Sequence, residues 1–213
     1  MRLAVSAVLF SVLASTALAG SVSFSSGWQE QRLSLFSSNK YSFGSTLGLV
    51  SDGSVSIAWT RVGQKDYGSK AASWSWTVDQ SVPATNLARK GGDDRNISLY
   101  FVFVPESVAP SLKGANIRSL LGNSDVRIIQ YAWGGNAARG QVIPSPYGPK
   151  GQGVTIALRQ AGTGSHSEKV DLAADYARAF GGTKGALVGL AVSGDSDDTK
   201  SVIRAAIGNL TLR

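Results

Sequence analysis

Ile97-Ser98-Leu99-Tyr100-Phe101-Val102-Phe103-Val104 puts Ile97, Leu99, Phe101 and Phe103 on one face of an extended chain. Ser98, Tyr100, Val102 and Val104 take the other. Both faces are apolar enough for a central strand covered on two sides. Upstream, Trp74, Trp76 and Val78 alternate with Ser73, Ser75 and Thr77, the pattern of a half-buried strand. Similar runs fall at residues 45–50, 54–60, 127–133, 153–159, 186–193 and 203–212, with 22–24 as a first edge strand. Turn signals separate them: Ser51-Asp52-Gly53, which reads as a hairpin, then Gly91-Gly92-Asp93-Asp94, Gly134-Gly135-Asn136 and residues 144–151. About ten strands with frequent turns predict a mainly β protein, an antiparallel β-sandwich of jelly-roll type.

Two segments break the alternation. Residues 108–121 read as a short helix or a turn-rich connector. Residues 168–180 carry Leu172, Ala173, Tyr176, Ala177 and Phe180 on one helical stripe, with Asp171 near the start and Gly181-Gly182 behind. One or two short helices are therefore expected.

The chain has 213 residues, 21 of them Lys or Arg and 14 Asp or Glu, for a formal net charge of +7. Residues 1–19 read as a secretory signal peptide: Arg2 begins it, an uncharged apolar run follows, and Ala17-Leu18-Ala19 fits the small-x-small cleavage rule. The expected product is one β-sandwich domain over 20–213, periplasmic or secreted, with no later run long enough to span a bilayer. The absence of Cys excludes disulfides and thiolate chemistry, and one His argues against imidazole zinc catalysis. That residue, His166, reads as part of an exposed loop. No G-x-S-x-G elbow is present. The basic charge is spread, its longest run being Arg89-Lys90, so no nucleic-acid partner is expected. Weak attraction to an anionic polymer or envelope surface is.

Three groups of residues could carry function. Asp195, Asp197 and Asp198, with Ser196 and Thr199, can offer oxygen ligands to Ca2+, although the spacing is not that of an EF-hand. The plain alternative is a turn whose side chains cap backbone N–H groups. Gly91-Gly92-Asp93-Asp94-Arg95 can supply a carboxylate for acid/base work or a structural Asp–Arg pair. Tyr131 and Trp133 share a strand face before Asn136, and Tyr147 sits in a proline-bounded loop. Aromatic faces beside planar polar groups suit a sugar, although strand tryptophans more often pack a core. The candidate ligand contacts are thus Trp133, Tyr131, Tyr147, Asp94, Arg95 and Asn136.

The ordered motifs also resemble a family. Trp74 to Val78, Gly92-Asp93-Asp94 leading into Leu99 to Phe103, Ile129 to Trp133, Pro146-Tyr147, Asp175 to Gly181, Gly189 to Thr199 and Ile207 to Leu210 follow one another as in domain of unknown function 3047, a family of exported bacterial proteins. The resemblance spans roughly residues 22–213 and implies a galactose-binding-like jelly roll. The family pattern has a tryptophan shortly before the helix, where this chain has Gly164-Ser165-His166-Ser167. The family supplies no catalytic residues.

The leading expectation is a non-catalytic binding module for carbohydrate or another envelope polymer, needing no cofactor unless the acidic turn takes Ca2+. The second is a polysaccharide-acting hydrolase or lyase using Asp93 or Asp94 with Asp195 or Asp197. The third is a structural or interaction protein of the envelope. Oligomeric state is left open.

Overall fold

The two stretches that decide the fold face each other across the core, each in a different sheet. The computed structural model describes residues 20–34, 37–112, 114, 120 and 122–213. The expected leader lies outside the described residues, as does most of 113–121. In chain order the strands are β1 (Gly20–Ser21), β2 (Gln29–Arg32), β3 (Lys40–Phe43), β4 (Thr46–Asp52), β5 (Val55–Arg61), β6 (Ala71–Gln80) and β7 (Arg95–Val104). Then come β8 (Arg127–Trp133), β9 (Val142–Pro144), β10 (Gly153–Arg159), β11 (Gly164–Asp171), β12 (Ala186–Asp195) and β13 (Val202–Leu212). A short helix, α1 (Leu172–Phe180), follows β11. No described helix is long and apolar enough to cross a membrane.

One sheet has the order β11-β6-β13-β4-β3, with β1 also on β13. The other runs β2-β5-β12-β7-β8-β10-β9. Their inner faces interlock as a sandwich. Trp74 and Trp76 of β6, with Leu47 and Leu49 of β4, meet Leu99, Phe101 and Phe103 of β7 and Tyr131 and Trp133 of β8. Trp74 packs on Tyr131 at 5.7 Å and Trp76 on Trp133 at 5.7 Å between ring centroids. β6 buries one face and leaves its serines half-buried on the other, as its alternation requires. β12 is buried along its whole length.

Several expectations change. Ser51-Asp52-Gly53 is not a hairpin, because β4 pairs with β3 and β13 while β5 pairs with β2 and β12; the chain switches sheets there. The sandwich is not wholly antiparallel. β10 runs parallel to β8, since residues 134–152 form a crossover long enough to bring the chain back in the same direction. The first edge strand is Gly20–Ser21 rather than 22–24. The helix begins at Leu172, not 168, because Glu168 and Val170 are buried in the sheet. Asp171 then caps α1, accepting from the Ala174 N–H at 2.9 Å. His166 is in β11 rather than a loop, 5.0 Å from the Trp133 ring.

Glu168 ties the open edge of the sandwich. Arg139 and Arg159, from the second sheet and its β8–β9 loop, donate to its two carboxylate oxygens at 2.8 Å each, and Trp76 Nε1 donates at 3.3 Å. Burial opposes its charge, but the two arginines outweigh that and hold the carboxyl below its ordinary range.

The outer face of the second sheet is covered in zones. At one end Val104, Val108, Ala109, Leu112 and Val126 pack with Ala186 and Val188. In the middle Trp59, Ile57, Tyr100 and Ala191 form a small cluster. Beyond it the face is open and carries the cleft, which Ile57 and Tyr100 of that cluster border.

Candidate functional site

The open part of that outer face is a cleft of about 510 Å3. Ile57 of β5, Ser193 and Asp195 of β12, Tyr100 of β7, Gln130 of β8 and Thr155 of β10 line it across the strands. Pro146 and Tyr147, from the β9–β10 loop, form one wall, and Leu33, just past β2, stands at the opposite end. This volume is in the range of small-ligand sites, and the mixture of apolar walls with a few converging polar groups is typical of them.

Strand register builds the polar floor. Asp195, the last residue of β12, pairs with Arg95, the first of β7, and a β-bulge falls between Ser193 and Asp195. A bulge turns a side chain away from regular alternation, a common device beside functional sites. Gly194 occupies the bulge, where a Cβ would come within 2.5 Å of Leu49 Cδ2 and 2.9 Å of the Asn96 carbonyl oxygen. Gly134 has φ +153°, and a Cβ there would lie 2.7 Å from Arg95 Cα. Glycine at both places lets the backbones close around Arg95 and Asp195.

Arg95 is the hub. Its Nη1 donates to Asp93 Oδ2 at 3.1 Å, to the Asp93 carbonyl at 3.0 Å and to Asp195 Oδ2 at 3.0 Å. Its Nη2 donates to the Tyr100 hydroxyl at 2.9 Å. Tyr147 donates its hydroxyl proton to Asp93 Oδ1 at 2.7 Å. Both oxygens of Asp93 are thus engaged, whereas Asp195 Oδ1 is buried with no protein partner. Burial pushes the Asp195 carboxyl up to about 7; Arg95 opposes the shift, and nearby Asp197, Asp94 and Asp93 add to it. Burial and the bond to Asp93 push the Tyr147 phenol up to about 12. Two carboxylates on one guanidinium nitrogen place their nearest oxygens within about 6 Å of each other, close enough to act on one bond.

Asp94 belongs to a separate cluster. Its Oδ2 accepts from the Thr199 N–H at 2.7 Å and from the Thr199 hydroxyl at 2.5 Å, and its Oδ1 from the Asp198 N–H at 3.3 Å. Oxygens of Asp94, Asp197 and Asp198 lie within 4.8 Å of one another. Those three carboxylates are the group that could hold a cation such as Ca2+. Asp94 replaces Asp195 in that set, because Asp195 turns to Arg95. The bonds to Asp94 are also those of a capped turn, the plainer role of such a motif.

The other sequence candidates divide. Arg95 and Tyr147 are in the cleft. Trp133 and Tyr131 face the core, 2% and 0% exposed, so neither can be a stacking platform for a ligand. The reason is register: β8 turns Ile129, Tyr131 and Trp133 toward β6 and sends Ile128 and Gln130 outward. Tyr131 instead donates to Asp175 Oδ2 of α1 at 2.6 Å. Asn136 is exposed and does not line the cleft; its N–H donates to the Thr85 carbonyl and its carbonyl accepts from Gln160. Tyr100 and Gln130 were not singled out by sequence. Their signal was a polar or amphipathic residue on the outward register of an otherwise apolar strand. Gln130 is held there by Thr155 at 3.1 Å and Ser98 at 2.9 Å.

Comparison with known proteins adds one assignment. The family model described as "Protein of unknown function (DUF3047)" matches residues 26–211. No curated protein matches the sequence. Among solved structures, the chain is similar to the xyloglucanase domain of NopAA, a type three effector from Sinorhizobium fredii, in complex with cellobiose. The identity is 12%, covering 94% of this chain and 99% of that one, with a TM-score of 0.46.

Proposed function

We propose, for a chain that belongs to the DUF3047 family of proteins of unknown function, that the outer-face cleft hydrolyses a saccharide. The observation that carries the reading is the floor. Asp93 and Asp195 are held by one guanidinium nitrogen beneath an open cleft, and Asp195 keeps an unpartnered oxygen. The two carboxyls sit in different surroundings. Asp93 accepts from Arg95 at one oxygen and from Tyr147 at the other, which fixes its carboxyl group in place. Asp195, with its carboxyl near 7, can carry a proton at neutral pH.

In this reading Asp195 gives its proton to the glycosidic oxygen as that C–O bond breaks, and Asp93 bonds to the anomeric carbon. The ionised Asp195 then takes a proton from water, whose oxygen displaces Asp93 from the sugar. Arg95 and Tyr147 are positioning residues that fix Asp93. The exposed Tyr147 and Pro146 wall offers an apolar face for a sugar ring.

Reducing-end release from a panel of soluble polysaccharides tests this. Turnover that falls by about 10³-fold or more in Asp195→Asn, with ligand binding retained, is expected. Equal turnover in the variant overturns the role of Asp195.

A second reading, binding without turnover, is favoured by the position of Arg95. A cation lodged between both acids also neutralises them, and the rings of Tyr100 and Tyr147 could then serve recognition alone. Saturable binding with no product from any panel member would select it.

A further inference from the structure

The charge around the cleft is arranged in two levels. The floor is acidic: Asp93, Asp195 and Asp197 line it against a single lining cation, Arg95, already bound to two of them. The Tyr147 wall carries a basic group. Lys90 Nζ stands 5.5 Å from the centre of the Tyr147 ring, and Tyr147 is 46% exposed. The turn holding Arg89 and Lys90 is joined to this wall, because the Gly91 N–H donates to the Tyr147 hydroxyl at 3.4 Å. Lys150 is exposed on the same loop as Tyr147. Arg89, Lys90 and Lys150 form no ion pair among the described residues.

We propose that the cleft selects a saccharide bearing an anionic substituent, with an uncharged ring over Asp93 and Asp195 and the anion at the Tyr147 wall beside Lys90, with exposed Arg89 and Lys150 on the two segments that meet there. The inference rests on the saccharide reading of the same cleft. A negative group cannot sit over the floor without facing two or three carboxylates in a partly desolvated site. At the Tyr147 wall the same group meets exposed cations beside an aromatic face. The Lys90 ammonium is already placed by the Tyr147 ring and loses little freedom on meeting its anion. Carboxylate and sulfate ester share this chemistry.

The test uses the chain from Gly20 to Arg213 and three glucan backbones (β-1,4, α-1,4 and β-1,3). Each is prepared neutral, oxidised to uronate at C6, and sulfated. Affinity is read by calorimetry at low and high salt. At least one anionic form should bind roughly three- to tenfold tighter than its neutral backbone, the scale of a few exposed charge contacts. The preference should vanish near 1 M salt, where the screening length is ~3 Å. It should also vanish in Lys90→Ala/Lys150→Ala and persist in Lys65→Ala/Lys169→Ala, which removes two exposed lysines elsewhere. The uronate and sulfate arms tell which anion is preferred. Equal affinity for neutral and anionic forms overturns the inference and leaves the saccharide reading standing. Equal loss in both double variants overturns it too, since diffuse charge would then account for the preference. Binding of none of the nine ligands overturns both.

Discussion

Replacing Arg95 by Met removes the cation on which the site is built. The guanidinium is buried and donates to Asp93, Asp195 and Tyr100 at 2.9–3.1 Å. A methionine fills much the same volume, so packing loss is secondary and electrostatics dominate. Breaking a buried ion pair by deleting one partner costs about 3–5 kcal/mol, because the remaining charge is left without compensation. Here two carboxylates are left, each about 90% shielded from solvent, which favours the upper half of that range. The residual access to water and the capacity of Asp195 to take up a proton pull the other way, so about 3–4 kcal/mol at pH 7.5 is the expected loss. Urea unfolding of wild type and variant, read by tryptophan fluorescence, measures it. Acid neutralises carboxylates stranded without a cation, so the difference should shrink by pH 4. A loss under about 1 kcal/mol, or one that does not change between pH 7.5 and pH 4, would refute the account of Arg95 as the hub.

Trp133→Ala should cost about 3–5 kcal/mol in the same unfolding assay, as a fully buried aromatic does; a near-neutral effect would put the ring outside the core. Glu168 has a lowered carboxyl, so its stabilisation is complete above the unfolded value of 4.5 and lost as pH falls through the lower native value. Acid unfolding of Glu168→Gln should therefore lack part of the wild-type slope, and an identical slope would contradict the pairing with Arg139 and Arg159. Asp195 behaves oppositely. Its native carboxyl near 7 lies above the unfolded value of 3.8, so wild-type stability is eroded as pH rises through that window. Asp195→Asn should gain stability over wild type between pH 4 and pH 8, measured by melting temperature, and a flat difference would show that Asp195 titrates normally. Asp94→Ala should lose roughly 2–3 kcal/mol, because three donors from Asp198 and Thr199 lose their acceptor.

The fold was legible where alternation was strong. The inner rows of β6 and β7, the whole of β8 and the extent of β10 follow from the period-two spacing of large apolar residues. The short strands β2, β3 and β9 were not, because four residues or fewer of mixed polarity carry no period. The change of sheet at Ser51-Asp52-Gly53 was hidden for a related reason. A turn signal marks where the chain bends, not which neighbour the next strand finds. In the site, Asp93, Arg95, Tyr147 and Asp195 were all visible as chemistry-bearing residues. Their partition was not, since Asp93 and Asp94 are adjacent in sequence yet serve different clusters. The bulge before Asp195 accompanies its turn toward Arg95, and a bulge leaves no mark beyond a glycine. Tyr131 and Trp133 were read on the correct shared face, but a single strand does not reveal which of its faces looks inward when both are apolar.

The stereochemistry of hydrolysis tests the Asp93–Asp195 pair most directly. Proton NMR of the first-formed sugar distinguishes the anomers before they equilibrate. With Asp93 bonding to the anomeric carbon rather than activating a water, the reaction is a double displacement. The expected product therefore retains the anomeric configuration of the substrate, through a glycosyl ester on Asp93. An inverted product, or no hydrolysis of any saccharide the cleft binds, would contradict the assignment of Asp93 and Asp195 as a catalytic pair.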